Sequence, residues 1–248
     1  MKLLFKLIAK RYIAGDTYKD AIRVAKELNL PVTIAPVIEK KDLPNSEIFS
    51  LIRAMQLMSF DNEGIDGNIA LKPTTITLKK LNIITDYAKQ YKKIVWLDME
   101  APETIIETIN KYHAASWRGN IGLALQANIK RTTDDIYNIQ RVRLCKGAYN
   151  GDIKNKERII QRFKICEQHL NYRDAVATHN KELIKYCLSK TPNYEFQALY
   201  GKHHFLYDLQ KRGYRVRAYI PYGKDWYKYC IRRLKENPKE VLKLLYRN

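Results

Sequence analysis

Between residues 31 and 221 the chain alternates short apolar runs with longer amphipathic segments. The apolar runs have the length of buried strands, and there are eight of them: 31–37, 67–72, 94–98, 121–127, 142–148, 174–178, 194–199 and 214–221. Helical periodicity is clearest in five of the segments that lie between them: 46–60, 78–91, 102–112, 155–170 and 181–188. Strands that alternate with helix-length segments predict a parallel sheet.

Eight such units in 248 residues match the size of a closed (β/α)8 barrel of the TIM type. A doubly wound open sheet is the alternative, but no Gly-x-Gly-x-x-Gly loop follows the first strand. No linker or compositional break divides the chain, so we expect one domain over 1–248 with an N-terminal helical segment over 1–29. In such a barrel we expect bulky apolar residues in the interior and the chemistry at the carboxyl ends of the strands.

Polar residues stand at or near the ends of seven of the eight predicted strands. They are Lys72, Asp98, Gln126, Arg143, Lys146, Thr178, His179, Gln197 and Tyr219. Any one of them is ordinary at the end of a strand, but in a barrel all of them converge on one rim. Lys146 is followed by Gly147 and Ala148, which place backbone amides beside an ammonium and suit a phosphate group. The collection favours a pyrophosphate-bearing cofactor and a carboxylate substrate over a metal.

A final helix is predicted to begin after Gly223, with Asp225 as its N-cap. Its spacing puts four residues on one face: Tyr229, Arg232, Arg233 and Glu236. Two neighbouring guanidiniums suit a carboxylate that is held by bidentate hydrogen bonds. The alternative is a solvated basic face on a basic protein.

The composition is that of a globular protein, with 46% hydrophobic residues and a net charge of +19. That charge is compatible with nucleic acid, an anionic membrane surface, an anionic cofactor or substrate, or a generally basic proteome. The four cysteines are far apart and have no metal-ligand spacing, so we expect reduced intracellular thiols. No run approaches the roughly 18 apolar residues of a membrane span.

The N-terminal stretch carries an apolar stripe opposite a row of lysines. The stripe consists of Leu3, Leu4, Leu7 and Ile8, and the lysines are Lys2, Lys6 and Lys10. Because Lys6 interrupts the apolar stretch, we expect no signal peptide. The segment is either a helix packed on the barrel or a peripheral anchor at a membrane surface.

Four motifs, in order along the chain, resemble the proline dehydrogenase family. They are Arg143-x-x-Lys146-Gly-Ala-Tyr149, Ala177-Thr-His179, Phe196-Gln-x-Leu-Tyr-Gly201, and Tyr219-x-Pro-Tyr-Gly223 followed by Arg232-Arg233. The resemblance covers nearly the whole chain. It implies a distorted (β/α)8 barrel whose last helix lies over the mouth. It also implies FAD-dependent oxidation of L-proline to Δ1-pyrroline-5-carboxylate, the first step of proline catabolism, by hydride transfer from proline C5 to flavin N5.

The resemblance also implies roles for individual residues. Lys72, Arg232 and Arg233 would hold the proline carboxylate, and Tyr219 and Tyr229 would wall the ring. Arg143 would lie near flavin N5, with Asp98 fixing its orientation. The implied FAD contacts are Met99, Gln126, Arg143, Lys146, Gly147, Ala148, Thr178, His179, Gln197 and Glu236. Glu236 would brace an active-site arginine.

Several partners and alternatives stay open at this point. A relative that acts on hydroxyproline is the nearest enzymatic rival, although Tyr219 opposes a ring hydroxyl in the proline-specific members of the family. A basic nucleic-acid-binding protein is disfavoured, because the basic residues are spread along the chain and form no known module. The resemblance implies a quinone or another electron acceptor for a cytoplasmic enzyme, with peripheral membrane contact left open. It also leaves open a partner subunit or a homo-oligomer, since the N-terminal arm is shorter than in many members.

Overall fold

The computed structural model describes residues 11–38, 42–59, 65–147, 151–228 and 231. Within these residues eight strands form a closed parallel barrel in sequence order, in which the last strand pairs with the first. The strands are β1 Val32–Pro36, β2 Gly67–Leu71, β3 Val95–Leu97, β4 Ile121–Gln126, β5 Val142–Cys145, β6 Ala175–Ala177, β7 Glu195–Leu199 and β8 Val216–Tyr222. The barrel that the alternating pattern predicts is therefore confirmed. Seven predicted strands contain the observed ones, and β8 extends one residue beyond the predicted end at 221.

Helices cover the outside of the barrel. They are α1 Tyr18–Leu28, α2 Asn45–Leu57, α3 Leu78–Gln90, α4 Ile105–Ser116, α5 Thr132–Asp135, α6 Lys156–Glu167, α7 Lys181–Leu188 and α8 Phe205–Lys211, with 3-10 turns at Pro73–Thr75, Pro102–Thr104 and Ile136–Asn138. The predicted helix over 102–112 thus splits into a 3-10 turn and α4. After Asp225 a helix begins at residue 226, as the sequence predicts.

Side-chain caps explain where several of these helices begin. Thr17 and Asp20 form a reciprocal capping box at the start of α1, which satisfies two backbone donors that the first turn leaves free. Asn155 and Asn180 accept hydrogen bonds from backbone N–H groups at the start of α6 and α7. The caps at Asn155 and Asn180 thus fix where the loops after β5 and β6 end and the helices begin.

The main hydrophobic core lies between the barrel and its helices. Strand residues that face outwards are almost all aliphatic and fully buried, for example Ile34, Leu97 and Leu144. Because successive strand residues point to opposite faces, the residues between them face into the barrel.

The barrel interior is not apolar, so the expectation of bulky apolar filling is wrong. Its only apolar cluster among the described residues is small, formed by Ala35, Ala70 and Trp96 with Ile94 and Tyr219 packed against it. The remaining space holds buried polar and charged side chains: Thr33, Asn68, Gln126, Arg143, Glu195, Gln197 and Arg217. Charged groups are tolerated there because they pair with one another inside the barrel.

Residues 14–15, which precede α1, meet residues 221–223 beside the junction of β1 and β8. The Ala14 N–H donates to the Pro221 carbonyl at 2.9 Å, and the Gly223 N–H donates to the Gly15 carbonyl at 2.9 Å. Trp226 packs on Val37 just beyond β1. Gly223 has φ +138°, and a Cβ there would lie 2.7 Å from the Val37 carbonyl oxygen, so this close approach requires glycine.

In the part of the chain that the structure describes, no helix is both long and apolar enough to cross a lipid bilayer.

Candidate active site

Three of the predicted site residues stand directly after the strands that carry them. Lys72, Asp98 and Lys146 follow the last residues of β2, β3 and β5. All three therefore lie at the carboxyl-terminal mouth of the barrel, the face at which parallel barrels hold their active sites. The predicted clustering of polar strand ends at one rim is what the topology produces.

Asp98 is the acceptor that joins the two sides of the mouth. Its Oδ1 accepts a hydrogen bond from Nη2 of Arg143, and its Oδ2 accepts one from the Tyr219 hydroxyl at 2.7 Å. The Asp98 carboxylate is partly exposed, whereas Arg143 is only 2% exposed. A buried guanidinium needs such a partner because leaving it unpaired would cost several kcal/mol.

Arg143 lies between two aromatic rings inside the barrel. Its guanidinium carbon is 4.9 Å from the Trp96 ring centroid and 5.4 Å from that of Tyr219. In the strand register Arg143 stands between Ala124 of β4 and Ala175 of β6, and these small side chains leave room for it. The rings and the carboxylate together restrict the guanidinium to one position, with cation–π attraction added to the ion pair.

Gln126 connects the end of β4 to the loop after β3. This buried side chain donates from Nε2 to the carbonyl of Glu100 at 3.2 Å and to that of Met99 at 3.4 Å. Glu100 in turn accepts a hydrogen bond from the Thr74 hydroxyl at 2.6 Å. Met99 and Gln126, both predicted cofactor contacts, are thus held side by side by backbone carbonyls at the mouth.

The turn after β5 brings its backbone very close to Asn128. Gly147 has φ +136°, and a Cβ at that position would lie 2.3 Å from Cγ of Asn128. A Cβ at Gly151 would lie 2.3 Å from the Asn128 carbonyl oxygen. Asn128 therefore packs between Gly147 and Gly151. A side chain at either glycine position would displace Asn128. Gly147 is exposed and follows Lys146 directly.

Beyond β6 the chain presents Thr178 and His179. The Thr178 hydroxyl accepts from the Asn180 N–H at 3.2 Å, which ties it to the start of α7. Nε2 of His179 accepts from the Leu199 N–H at 3.1 Å, so the imidazole bridges the ends of β6 and β7 while staying exposed. Both residues lie on the side of the mouth towards Lys146.

Cys145 stands at the end of β5, two residues after Arg143. Burial raises the pKa of its thiol to about 11, with Arg143 acting to lower it and Asp98 to raise it. The thiol therefore stays protonated at neutral pH and is a poor nucleophile. Cys145, Cys166 and Cys187 are all free thiols, and among the described residues no group of His, Cys, Asp or Glu is arranged to hold a metal.

Comparison with known sequences decides the family. The proline dehydrogenase family profile matches residues 9–244. The chain belongs to the proline dehydrogenase family. Proline dehydrogenase 1 of Bacillus subtilis subsp. natto is 30% identical, with 94% of this chain and 88% of that protein covered. Proline dehydrogenase of Deinococcus radiodurans is 27% identical, with 94% and 87% covered.

Solved structures of proline utilization A (PutA) share the fold. The Bdellovibrio bacteriovorus protein superposes with a TM-score of 0.81 at 20% identity over 93% of this chain. A mutant PutA from Bradyrhizobium japonicum superposes with a TM-score of 0.76 at 18% identity over 95% of this chain. This chain spans about a third of those longer proteins, 32% and 31% of their lengths. The likeness shows that this chain has the same barrel fold.

Some residues that the family resemblance singles out lie outside the described part of the chain. They are Ala148, Tyr149, Tyr229, Arg232, Arg233 and Glu236. The same holds for residues 1–10, with their apolar stripe, and for Cys230. Their roles stay predictions, including the placement of the last helix over the mouth.

The residues around Arg143 that the sequence argument missed lie deeper in the barrel. Trp96 stacks on Arg143, and Glu195 and Arg217 form a buried ion pair below Gln197. The sequence did indicate that these two charges face inwards. Glu195 stands two positions before Gln197 in the same strand, and Arg217 stands two positions before Tyr219. That period of two puts both charges on the inner face of a closed barrel.

Proposed function

We propose that this protein oxidises L-proline to Δ1-pyrroline-5-carboxylate, with FAD as its bound cofactor. The observation that supports the proposal most directly is the Asp98–Arg143 pair at the mouth of a proline dehydrogenase family barrel. A buried cation with one fixed orientation is suited to meet charge that develops next to it. A purely structural ion pair would not need to lie at the open end of the barrel beside Lys72 and Lys146.

The residues at the mouth fit FAD. Gly147 offers exposed backbone, and Lys146 beside it supplies a positive charge, which together suit a pyrophosphate. Thr178 and His179 stand near them, at the end of β6. Gln126 and Met99 would contact the flavin from the β3–β4 side, and Gln197 is placed under Arg143. When bound, FAD supplies the N5 atom that accepts a hydride from proline C5.

The protein's own contribution is to position groups before the substrate arrives. Asp98 holds the Arg143 guanidinium and the Tyr219 hydroxyl at the same time, so neither has to reorganise during the reaction. Tyr219 then presents its ring as one wall of the substrate site. Because Asp98 holds the Tyr219 hydroxyl, the Tyr219 ring cannot move aside to make room for a hydroxyl group on the proline ring. This favours proline over hydroxyproline as the substrate.

The substrate carboxylate would be held by cations around the mouth. Lys72 follows β2 directly and lies next to Asp98 in the barrel order. Arg232 and Arg233 would add two guanidinium forks from the last helix, which suits a carboxylate better than lysines would. We propose further that the enzyme works in the cytoplasm and passes its electrons to a quinone or another acceptor.

Spectroscopy of the purified full chain tests this proposal. Protein saturated with FAD and freed of excess should show a flavin absorbance band, and acid precipitation should release the flavin unaltered. Anaerobic L-proline should bleach the band, whereas D-proline should not. Protein that retains no flavin after saturation, or whose bound flavin L-proline leaves oxidised, would contradict the proposal.

A further inference from the structure

A continuous line of hydrogen bonds runs from the mouth of the barrel to its opposite end. At the mouth, Nη1 of Arg143 donates to Oε1 of Gln197 at 3.4 Å. Nε2 of Gln197 donates to Oε1 of Glu195 at 2.8 Å. Nε of Arg217 donates to both carboxylate oxygens of Glu195, at 2.9 and 3.1 Å. These residues come from β5, β7 and β8, so the line crosses the barrel interior.

Arg217 anchors the far end of this line. Its remaining donors bind the Asp66 carboxylate at 3.1 and 3.2 Å and the carbonyls of Val32 and Asp66 at 2.9 and 3.0 Å. Burial acts to lower the pKa of Arg217, but Glu195 and Asp66 outweigh it and the pKa is raised. Arg217 therefore remains charged, and it lies 2.9 Å from the Glu195 carboxylate although the two residues are only 6% and 7% exposed.

The charge on Glu195 decides which way the Gln197 amide points. A carboxylate only accepts hydrogen bonds, so Gln197 must turn its NH2 group towards Glu195. Its carbonyl oxygen then faces Arg143, whose guanidinium only donates. A neutral residue at 195 that can donate as well as accept would remove this constraint and leave Arg143 alone to orient the Gln197 amide.

We propose that Glu195 is a positioning residue for Arg143, acting through the fixed amide of Gln197. Asp98 holds the guanidinium from the mouth and Gln197 holds it from below, so two acceptors on different strands define its orientation. The proposal rests on the proposed function, because the orientation of Arg143 affects the reaction only if a flavin binds next to it. It gives the buried Glu195–Arg217 pair a role beyond joining β7 to β8.

The test uses Glu195→Gln in the full chain loaded with FAD, which keeps the shape of the side chain and removes its charge. Glu167→Gln is the matched control, because Glu167 is also buried and accepts a hydrogen bond, from the Tyr194 hydroxyl at 2.6 Å, but lies on α6 outside the barrel. For each variant the midpoint potential of the bound flavin, the kcat and KM for L-proline, and the melting temperature are measured.

We expect Glu195→Gln to lower kcat about tenfold, since one charge-assisted hydrogen bond at Arg143 loses its fixed acceptor. The flavin potential should become more negative, and a tenfold weaker preference for the reduced form equals about 30 mV for a two-electron couple. The KM should change little, because Lys72 is untouched. Glu167→Gln should leave the potential and kcat as they are, whatever it does to the melting temperature.

A second variant separates positioning from packing. In Glu195→Gln/Gln197→Glu the direction of the line is reversed: the new amide donates to the new carboxylate, which again accepts from Arg143. The kcat should recover towards wild type, whereas the potential should stay more negative because a carboxylate now stands next to Arg143. A role in packing alone would give no rescue, because the double variant leaves Arg217 without the charge of Glu195.

Several outcomes would overturn the proposal. One is a Glu195→Gln variant whose potential and kcat equal those of Glu167→Gln, and another is a double variant no better than the single one. If Glu195→Gln fails to fold, Gln197→Met breaks the same link and keeps the ion pair, and an unchanged potential there would reject the idea. Wild-type protein that L-proline does not reduce would instead refute the proposed function, and this inference with it.

Discussion

At the scale of single residues, the chemistry of the mouth depends on how Arg143 is confined. Trp96 and Tyr219 restrict it by ring contacts, Asp98 by charge, and Gln197 by a hydrogen bond from below. Space for these groups comes from small neighbours. A Cβ at Gly122, for instance, would lie 2.6 Å from Cζ3 of Trp96. The large indole therefore fits only because β4 carries a glycine opposite it.

Replacing Asp98 with Asn tests the charge at this point. The amide can still accept from Arg143 and donate to the Tyr219 oxygen, so the shape survives and only the charge is lost. A hydrogen bond to a charged group is worth about 1.5–3 kcal/mol, so we expect kcat/KM for L-proline to fall by about 10- to 150-fold. Steady-state kinetics with an artificial electron acceptor measure it.

Asp86→Asn is the matched control, because Asp86 pairs with Arg118 at the exposed surface of α3. Exposed pairs contribute about 0–1 kcal/mol, so kcat/KM should not change in this variant. Equal losses in Asp98→Asn and Asp86→Asn would remove Asp98 from the reacting site.

At the scale of elements, the alternation of apolar and polar residues located every strand and most helices, but not the pairs inside the barrel. The outward face could be read because aliphatic residues such as Ile34 and Leu144 recur every second position. Which inward residues meet depends on the stagger between strands, and that is set by closure of the whole sheet. Glu195 and Arg217 could thus be placed on the inner face from the sequence, whereas their contact with each other could not.

The loop after β7 carries a buried histidine whose charge state is coupled to folding. Nδ1 of His203 accepts a hydrogen bond from the Gly201 N–H at 3.1 Å, and the side chain is 5% exposed. Gly201 packs in turn against the backbone of Arg11. Burial, and then the neighbouring His204, lower the pKa of His203 to about 4. Protonation would replace the acceptor with a donor and break this contact.

Because the pKa of His203 is about 4 in the folded state and the ordinary histidine value is about 6.5, the unfolded chain takes up this proton first as the pH falls. The contribution of neutral His203 to stability is complete above pH 6.5 and is lost between about pH 6.5 and 4, at up to about 1.4 kcal/mol per unit. We expect the stability advantage of wild type over His203→Asn to shrink over this range. Denaturant unfolding between pH 4 and 7.5 measures it, and a constant difference would contradict the coupling.

At the scale of the whole molecule, the net charge of +19 is the property that the fold explains least. Basic residues are spread along the chain, and many are used within the protein, as Arg143, Arg162 and Arg217 are. A lysine or arginine attracts an anionic membrane by about 1 kcal/mol only within about 8–10 Å of it. Spread charge therefore predicts weak association without a defined docking face.

Vesicle co-sedimentation separates this view from a specific anchor at residues 1–10. At physiological salt we expect little binding to anionic vesicles, none to neutral ones, and no change when residues 1–10 are deleted from protein that still oxidises L-proline. Salt-reversible binding that disappears with this deletion, while activity is kept, would instead identify the N-terminal stripe as a membrane anchor.

The pairing of β1 with β8 has a consequence for how the protein is made. Val32 of β1 pairs with Ala218 of β8. One edge of β1 therefore has no partner strand until almost all of the chain has been synthesised. Until then the nascent chain exposes the unpaired edge of β1, which other chains can join. Chains that stop before residue 216 should therefore depend on chaperones or aggregate, whereas completed chains close the barrel on themselves.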